Sequence, residues 1–301
     1  MKLPIRGFLK TIRTTQNWYS VLFFSFLIRQ RCVAKFRNGN RFVIDRDQRP
    51  NYSFIRDMMY DNLRMRGPKV RILVDREFGQ ILDLGGYKFV ISSQFSFDSL
   101  YLVFFRQLFP EEDLSGSEVI DIGGYTGDTA IYFASKGARV HAYEPVPEAF
   151  AMMQRNIALN RLESMVLAYN CAVTEDMSSA MSVDTDTYEG STTLSDLPSS
   201  LANGTKIQVE TVTLKDAYAR CGQRSRKVLK LNCEGCEFSV ISAANGTLLK
   251  NFDEVICFYH SFLTGIPKEQ LIEVLQQNGF DVGCNDSRSL IVARRPKNSA
   301  D

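Results

Sequence analysis

Three stretches of this 301-residue chain hold side chains that could do chemistry. The first is Val119-Ile120-Asp121-Ile122-Gly123-Gly124-Tyr125-Thr126-Gly127-Asp128-Thr129, an apolar run leading through glycines into a polar helix start. Glycines between a strand and a helix let backbone approach a bound nucleotide closely. Gly123, Gly124 and Gly127 do not reproduce the G-x-G-x-x-G spacing of dinucleotide sites, which disfavours a nucleotide-dependent oxidoreductase. Asp121, two residues before the first glycine, would oppose a pyrophosphate and suits a ligand that brings positive charge. The second stretch is Tyr143-Glu144-Pro145. Glu144 follows Asp121 by 23 residues and closes the next apolar run, where an acid can accept both hydroxyls of a ribose. The third runs from Lys230 through Asn232-Cys233-Glu234-Gly235-Cys236-Glu237, with His260 closing a later apolar run.

S-adenosylmethionine (SAM) meets the description of the first two sites, with an ammonium, a sulfonium and a carboxylate but no phosphate. Methyl transfer to a hydroxyl is an in-line displacement that needs alignment, desolvation and a route for the proton. Glu234, Glu237 and His260 are the candidates to face it. His260 needs no pKa shift to act near neutral pH, whereas a glutamate needs burial or a neighbouring acid. Lys230 is expected to pair with one of these acids or to meet the substrate. Each has a plainer reading. His260 could be structural, the two glutamates could stabilise a helix start, and Asp128 could cap one. His141, inside a strand, reads as structural. Cys233 and Cys236 form a C-x-x-C without a second pair, read as small filler rather than a redox or metal site. No metal ligands are expected.

These residues need a frame. From residue 119 the chain alternates short apolar strands (119–122, 139–143, 165–169, 207–212, 227–231, 254–259) with helices (128–136, 147–160, 237–244, 267–278). A closing hairpin is expected from 280–283 and 290–294. Such alternation predicts a doubly wound, mostly parallel sheet with an antiparallel strand at its end. Residues 176–206, poor in large apolar groups, read as an excursion or lid. Upstream lie a hairpin around Asn38-Gly39, strand-like runs at 70–74, 80–84 and 87–91, and a helix over 98–109. The expected organisation is an α+β appendage over 1–115 and a main domain over 116–301.

Composition agrees with a globular chain: 45% of residues are hydrophobic and 23% charged, which excludes a disordered or polytopic membrane protein. Seven scattered cysteines predict a reducing, cytoplasmic setting without a disulfide framework. The net charge of +2 hides an asymmetry. Residues 1–50 hold eleven Lys/Arg against Asp45 and Asp47, a local +9, which leaves −7 for the rest. The apolar run 18–28 within that segment would rise about 16 Å as a helix, too short to span a bilayer. It reads as a core helix, with a peripheral membrane contact as the second reading.

Residues 119–129, Tyr143-Glu144-Pro145-Val146-Pro147-Glu148 with Asn156 and Asn160, and Leu229–Glu237 together resemble the FkbM-type SAM-dependent methyltransferases. The last stretch is similar to the family's strand running into Lys-x-Asp-x-Glu-Gly-x-Glu, and Thr213-Leu214-Lys215-Asp216 stands near another family strand exit. The resemblance covers roughly residues 115–295. It implies a Rossmann-like, seven-stranded class I methyltransferase sheet and SAM as methyl donor. It also implies O-methylation of a sugar, glycolipid or related small-molecule acceptor. No nucleic acid partner is expected. Carried onto this sequence, Asp121, Gly123, Gly124, Gly127 and Asp128 surround the methionine part, Glu144 the ribose, Asn170 the adenine, and Asn232 lies beside them. Two departures stand out. Asn232 replaces the family's usual Asp, and Phe258 stands where an acid is expected two residues before His260. They favour an alternative, a binding module that keeps SAM, or only the fold, without transferring methyl. The oligomeric state is left open.

Overall fold

A computed structural model describes residues 5–21, 31–45, 49–106, 108–109, 112–175, 181–184, 206–223 and 226–296. The chain divides into two compact units, Met1–Glu111 and Glu112–Asp301. Residues 112–115 go with the second unit because the Leu114 N–H donates to the Lys136 carbonyl and the Ser117 N–H to that of Leu114.

In the first unit, helix α1 (Ile5–Thr14) precedes the antiparallel hairpin β1 (Arg31–Lys35) and β2 (Arg41–Asp45). Its turn uses Gly39 at φ +89°, as the Asn-Gly signal requires. Neither α1 nor the next helix, α2 (Arg49–Leu63), was legible beforehand. The apolar side chains of α2 (Tyr52, Ile55, Met58, Met59) are buried at helical spacing, with the polar Asn51 and Arg56 buried among them. A meander follows, β3 (Val70–Asp75), β4 (Gly79–Leu84) and β5 (Tyr87–Val90), and then α3 (Asp98–Phe105), shorter than the expected helix. Of the apolar run 18–28, residues 22–28 lie outside the described residues.

The second unit contains, in order, β6 (Ser117–Ile122), α4 (Asp128–Ser135), β7 (Arg139–Tyr143), α5 (Pro147–Leu159), β8 (Val166–Tyr169), β9 (Ala172–Thr174), β10 (Met181–Asp184), β11 (Lys206–Val209), β12 (Thr211–Thr213), α6 (Leu214–Ala219), β13 (Arg226–Leu231), α7 (Cys236–Ala243), β14 (Glu254–Phe258), α8 (Ser261–Thr264), α9 (Lys268–Gln277), β15 (Asp281–Asn285) and β16 (Leu290–Arg294). Seven strands form one sheet in the order β15-β16-β14-β13-β6-β7-β8. All pairs are parallel except those of β16, which runs antiparallel between β14 and β15. The antiparallel strand is therefore one place in from the edge, not at the end. β6 is buried along its whole length, which explains its near-continuous apolar sequence.

The expected strand at 207–212 is two strands. β11 pairs antiparallel with β10, while β12 pairs parallel with β9, and the break falls at Glu210, whose carbonyl accepts the Ala172 N–H. Part of the expected excursion is thus the strand β10. Residues 176–180 and 185–205 lie outside the described residues.

Candidate active site

Strand order reverses between β6 and β13. In doubly wound sheets a ligand lies beyond the carboxyl ends of the strands at such a switch point. Gly123 leaves β6, Glu144 leaves β7, Asn170 leaves β8, Asn232 and Glu234 leave β13, and His260 leaves β14. The topology thus brings one end of the sheet to nearly every residue singled out from the sequence.

The glycine loop is held by its neighbours. Gly123 has φ +77°, and a Cβ there would lie 1.9 Å from the Asn232 carbonyl oxygen, so no other residue fits. Gly124 and Gly127 pack against Met153 of α5. Asn156 Nδ2 donates to the Thr126 carbonyl at 2.8 Å, which ties α5 to the loop again. Gly127, left-handed at φ +86°, is the residue before α4; Asp128 is buried within the first turn and is not the cap.

Asp121 is paired within the protein. It is fully buried, takes a hydrogen bond from Thr129 Oγ1 at 2.6 Å, and pairs with Lys230 Nζ at 2.7 Å. Register explains the pair, because Lys230 and Asp121 are directly opposite in the parallel β13–β6 ladder. Lys230 also donates to the Gly123 carbonyl at 2.9 Å. The expectation that Lys230 would meet Glu234, Glu237 or the substrate is therefore corrected. Lys230 carries a charge that neutralises Asp121 and a donor that fixes the glycine loop.

Glu144 is buried at the loop's other side. Its carboxylate accepts the Tyr125 N–H at 2.8 Å and the Val146 N–H at 2.9 Å. Burial pushes its pKa up to about 7 despite these two donors. A carboxylate offers roughly four lone-pair sites, so each oxygen retains capacity for one further donor. Asn170 Nδ2 donates to the carbonyls of Glu144 and Pro145, at 2.9 and 3.1 Å. It positions the Glu144 segment.

The second half of the site centres on His260. Its Nδ1 lies 2.9 Å from Glu237 Oε1 and its Nε2 3.3 Å from Glu234 Oε2. Glu237 opens α7, is fully buried, and also accepts the N–H groups of Cys233 and Gly235 at 2.8 and 2.9 Å. It therefore stabilises a helix start and orients the imidazole at the same time. Burial lowers the His260 pKa, but the Glu237 hydrogen bond and the two carboxylates outweigh it, and the net shift is upward. Burial raises Glu234 above the usual carboxylate value. Glu234 sits at φ +55°, a conformation that costs a non-glycine residue about 1 kcal/mol or more and that recurs at working sites. Asn232 donates its N–H to the Ile122 carbonyl at 3.0 Å, and Phe258 ends β14.

Cys233 and Cys236 are joined as a disulfide, with their Cα atoms 5.5 Å apart. The reading of this pair as small filler is corrected. Positive φ at Glu234 and Gly235 folds the loop tightly enough to bring the two residues together. The other described cysteines, Cys32, Cys171, Cys221, Cys257 and Cys284, are free thiols.

Far from this edge, Glu118, His141 and Cys221 bring ligand-type atoms within 4.8 Å of one another. Arg139 and Lys227 lie close enough to act on the Cys221 thiol, which burial and then Glu118 push up to about 12. Among the described residues both Glu118 carboxylate oxygens and His141 Nε2 are buried with no hydrogen-bond partner. His141 stacks on Tyr169 with its pKa lowered by burial. Thr129, Met153 and Tyr125, which hold the loop, were not singled out from the sequence. Strand–helix alternation shows that a residue is in an element, not which neighbour it meets.

The seven-stranded, mostly parallel sheet is Rossmann-like, with its glycine loop and Glu144 on adjacent strand ends. Residues 121–282 match the model of the Methyltransferase FkbM domain. The chain belongs to the FkbM methyltransferase family. Among solved structures it is similar to a precorrin-6y C5,15-methyltransferase from Geobacter metallireducens at 12% identity, covering 64% of this chain and 85% of that one with a TM-score of 0.35. It is also similar to an O-methyltransferase family protein from Burkholderia thailandensis at 12% identity, covering 60% and 51% with a TM-score of 0.35. Likenesses at that level carry no functional argument. No curated protein matches the chain.

Proposed function

We propose that this protein transfers a methyl group from SAM to a hydroxyl of a sugar, glycolipid or related metabolite. The observation that carries the reading is the His260 imidazole held between Glu237 and Glu234 at the same sheet end as the glycine loop and Glu144. SAM fits the donor set. Glu144 keeps acceptor capacity for two ribose hydroxyls, while Asp128 in the first turn of α4 disfavours a phosphate there. When bound, SAM supplies an electrophilic methyl on a sulfonium.

The chain's own residues supply the rest. Gly123 and Gly127 let the loop backbone come close, and Lys230 keeps Asp121 from presenting a bare charge beneath it. Glu237 fixes the ring plane of His260 and favours a proton on Nδ1. Nε2, with Glu234 beside it, is then the place for the proton of an acceptor hydroxyl. His260 and Glu234 form one proton-accepting unit, and Glu237 is a positioning residue rather than a rival base.

Calorimetry with S-adenosylhomocysteine and NAD tests the reading. The thioether product should bind in the micromolar range, and Glu144→Ala should weaken it by about 1.5–3 kcal/mol through lost charge-assisted bonds. Tight NAD binding with no response to S-adenosylhomocysteine would overturn it. Binding of the cofactor with no methylated product from any hydroxylated acceptor would favour the binding-module alternative, which the Asn232 and Phe258 departures support.

A further inference from the structure

Helix α1 is packed with the wrong face inward for a core helix. Gly7, Thr11, Thr14 and Thr15 are buried, while Phe8 and Leu9 are 37% and 45% exposed. The inward face meets α2: a Cβ on Gly7 would lie 3.2 Å from Arg56, and Lys10 pairs with Asp57 at 2.6 Å. Phe8 continues outward into an aromatic cluster. Its ring is 6.5 Å from that of Trp18, edge to face, and Trp18 is 6.1 Å from Tyr19, itself 57% exposed. Val33, 39% exposed, joins this surface through Asn17, whose side chain donates to the Val33 carbonyl. A soluble helix ordinarily turns such residues toward a core.

The charge around this patch that is left without an opposite partner is positive. Arg13, in the last turn of α1, donates from Nη1 to Tyr60 Oη at 3.2 Å, and Arg37 Nη2 donates to the Ile12 carbonyl at 3.2 Å. Lys35 and Arg41 face each other across the β1–β2 hairpin, and the Lys35 carbonyl accepts the Gln16 N–H. The nearby acids are matched, Asp57 by Lys10 and Asp45 by Arg31. Among the described residues no carboxylate is in ion-pair range of Arg13, Lys35, Arg37 or Arg41. Exposed aromatic and aliphatic side chains ringed by basic groups suit the headgroup boundary of a negatively charged bilayer, where the apolar groups leave water and the cations meet lipid phosphates.

We propose that the Phe8, Leu9, Trp18 and Tyr19 face of the first unit docks on an anionic lipid membrane. It lies on the surface without crossing; among the described residues no helix is long and apolar enough to span one. This inference stands apart from the chemistry of the second unit.

Trp18 is the chain's single tryptophan, so its fluorescence reports on the patch alone. Full-length protein is mixed with vesicles of phosphatidylcholine containing phosphatidylserine, some with brominated acyl chains, and then floated on a density gradient. The expected result is flotation at low salt, a blue shift and bromine quenching of Trp18, and release at high salt as the attraction is screened. Phe8→Ser with Leu9→Ser should weaken partitioning about tenfold or more, with only a small fall in the thermal transition from the lost Phe8–Trp18 contact. Arg13→Gln with Arg37→Gln should weaken it roughly thirtyfold on anionic vesicles and hardly at all on neutral ones. Three results overturn the proposal. They are absence of flotation and quenching, flotation indifferent to the Phe8/Leu9 variant, and shielding of Trp18 by self-association without lipid, which would make the face a contact between two copies.

Discussion

Lys230 and Asp121 face each other across β13 and β6, with Nζ 2.7 Å from Oδ1 and both side chains withdrawn from solvent. A parallel ladder places them opposite, and the same ammonium reaches the Gly123 carbonyl. The ion pair therefore joins the strand that carries the glycine loop to the strand that carries Glu234. Lys230→Met should leave a buried, unpaired carboxylate and destabilise the second unit by on the order of 3–5 kcal/mol. Adding Asp121→Asn should recover most of the loss. Denaturant titrations of the two variants check this; a single variant as stable as the parent would show that the pair carries nothing.

Gly123→Ala should be far worse than Gly246→Ala. Both glycines have positive φ, but an added Cβ meets the Asn232 carbonyl at Gly123 and nothing within 4 Å at Gly246. The Gly246 change should cost about 1 kcal/mol from backbone conformation alone. The Gly123 change must also push two loops apart and weaken S-adenosylhomocysteine binding. Thermal melts with and without the ligand separate the two effects.

Glu144 gives the second unit a defined pH dependence. Its folded pKa, about 7, lies above the ordinary carboxylate value of 4.5, so the folded state holds the proton after the unfolded state has lost it. Stability should therefore fall as pH rises from about 4.5 through about 7, by on the order of 3 kcal/mol. Glu144→Gln should flatten that limb. If ribose hydroxyls donate to the ionised carboxylate, S-adenosylhomocysteine affinity should rise over the same range in the parent and not in the variant, as calorimetry across pH can record.

The chain has two histidines, and their environments pull in opposite directions. NMR should show His260 titrating above the ordinary histidine value and His141 below it. The stabilisation from charged His260 is complete below the unfolded-state pKa and is lost as pH rises through its folded value. Glu237→Gln should move the His260 curve downward and leave that of His141 in place.

His260→Ala should lower methyl transfer by about 10²–10⁴ while S-adenosylhomocysteine affinity stays within a few-fold, and Glu234→Gln should shift the rising limb of the pH–rate profile. Unchanged turnover in both variants would leave alignment and desolvation as the whole of catalysis.

The cysteines offer a direct count. Five of the seven are free and two are paired. Alkylation of the denatured, unreduced protein should modify five thiols, and reduction beforehand should raise that to seven. Seven without reductant would mean that the Cys233–Cys236 loop is held by backbone and Glu237 alone.

Much of this site was written in residue type and spacing. Asp121, the three glycines and Glu144 occur at the ends of apolar runs, and a run of that kind between helical stretches has few places to go except a parallel sheet. Local signals of this sort survive in one dimension because they concern neighbours in sequence: Pro147 opening α5, Gly127 taking a left-handed φ, Asn38-Gly39 turning a hairpin. The carboxyl-end cluster follows from the same logic once the strands are parallel.

Partnership was not legible. Lys230 was expected to pair with Glu234 or Glu237, or to meet the substrate, and the β13–β6 register instead puts it opposite Asp121. Glu237 and Glu234 have the same side chain three residues apart, yet one is buried at a helix start with three partners and the other sits strained at the rim. The Cys233–Cys236 bond depends on two consecutive positive φ values, and the outward Phe8–Trp18–Tyr19 face depends on α1 burying its threonines against α2. Each is a long-range choice made by packing and register, where a group's neighbours across the sheet or helix interface decide its charge and its role.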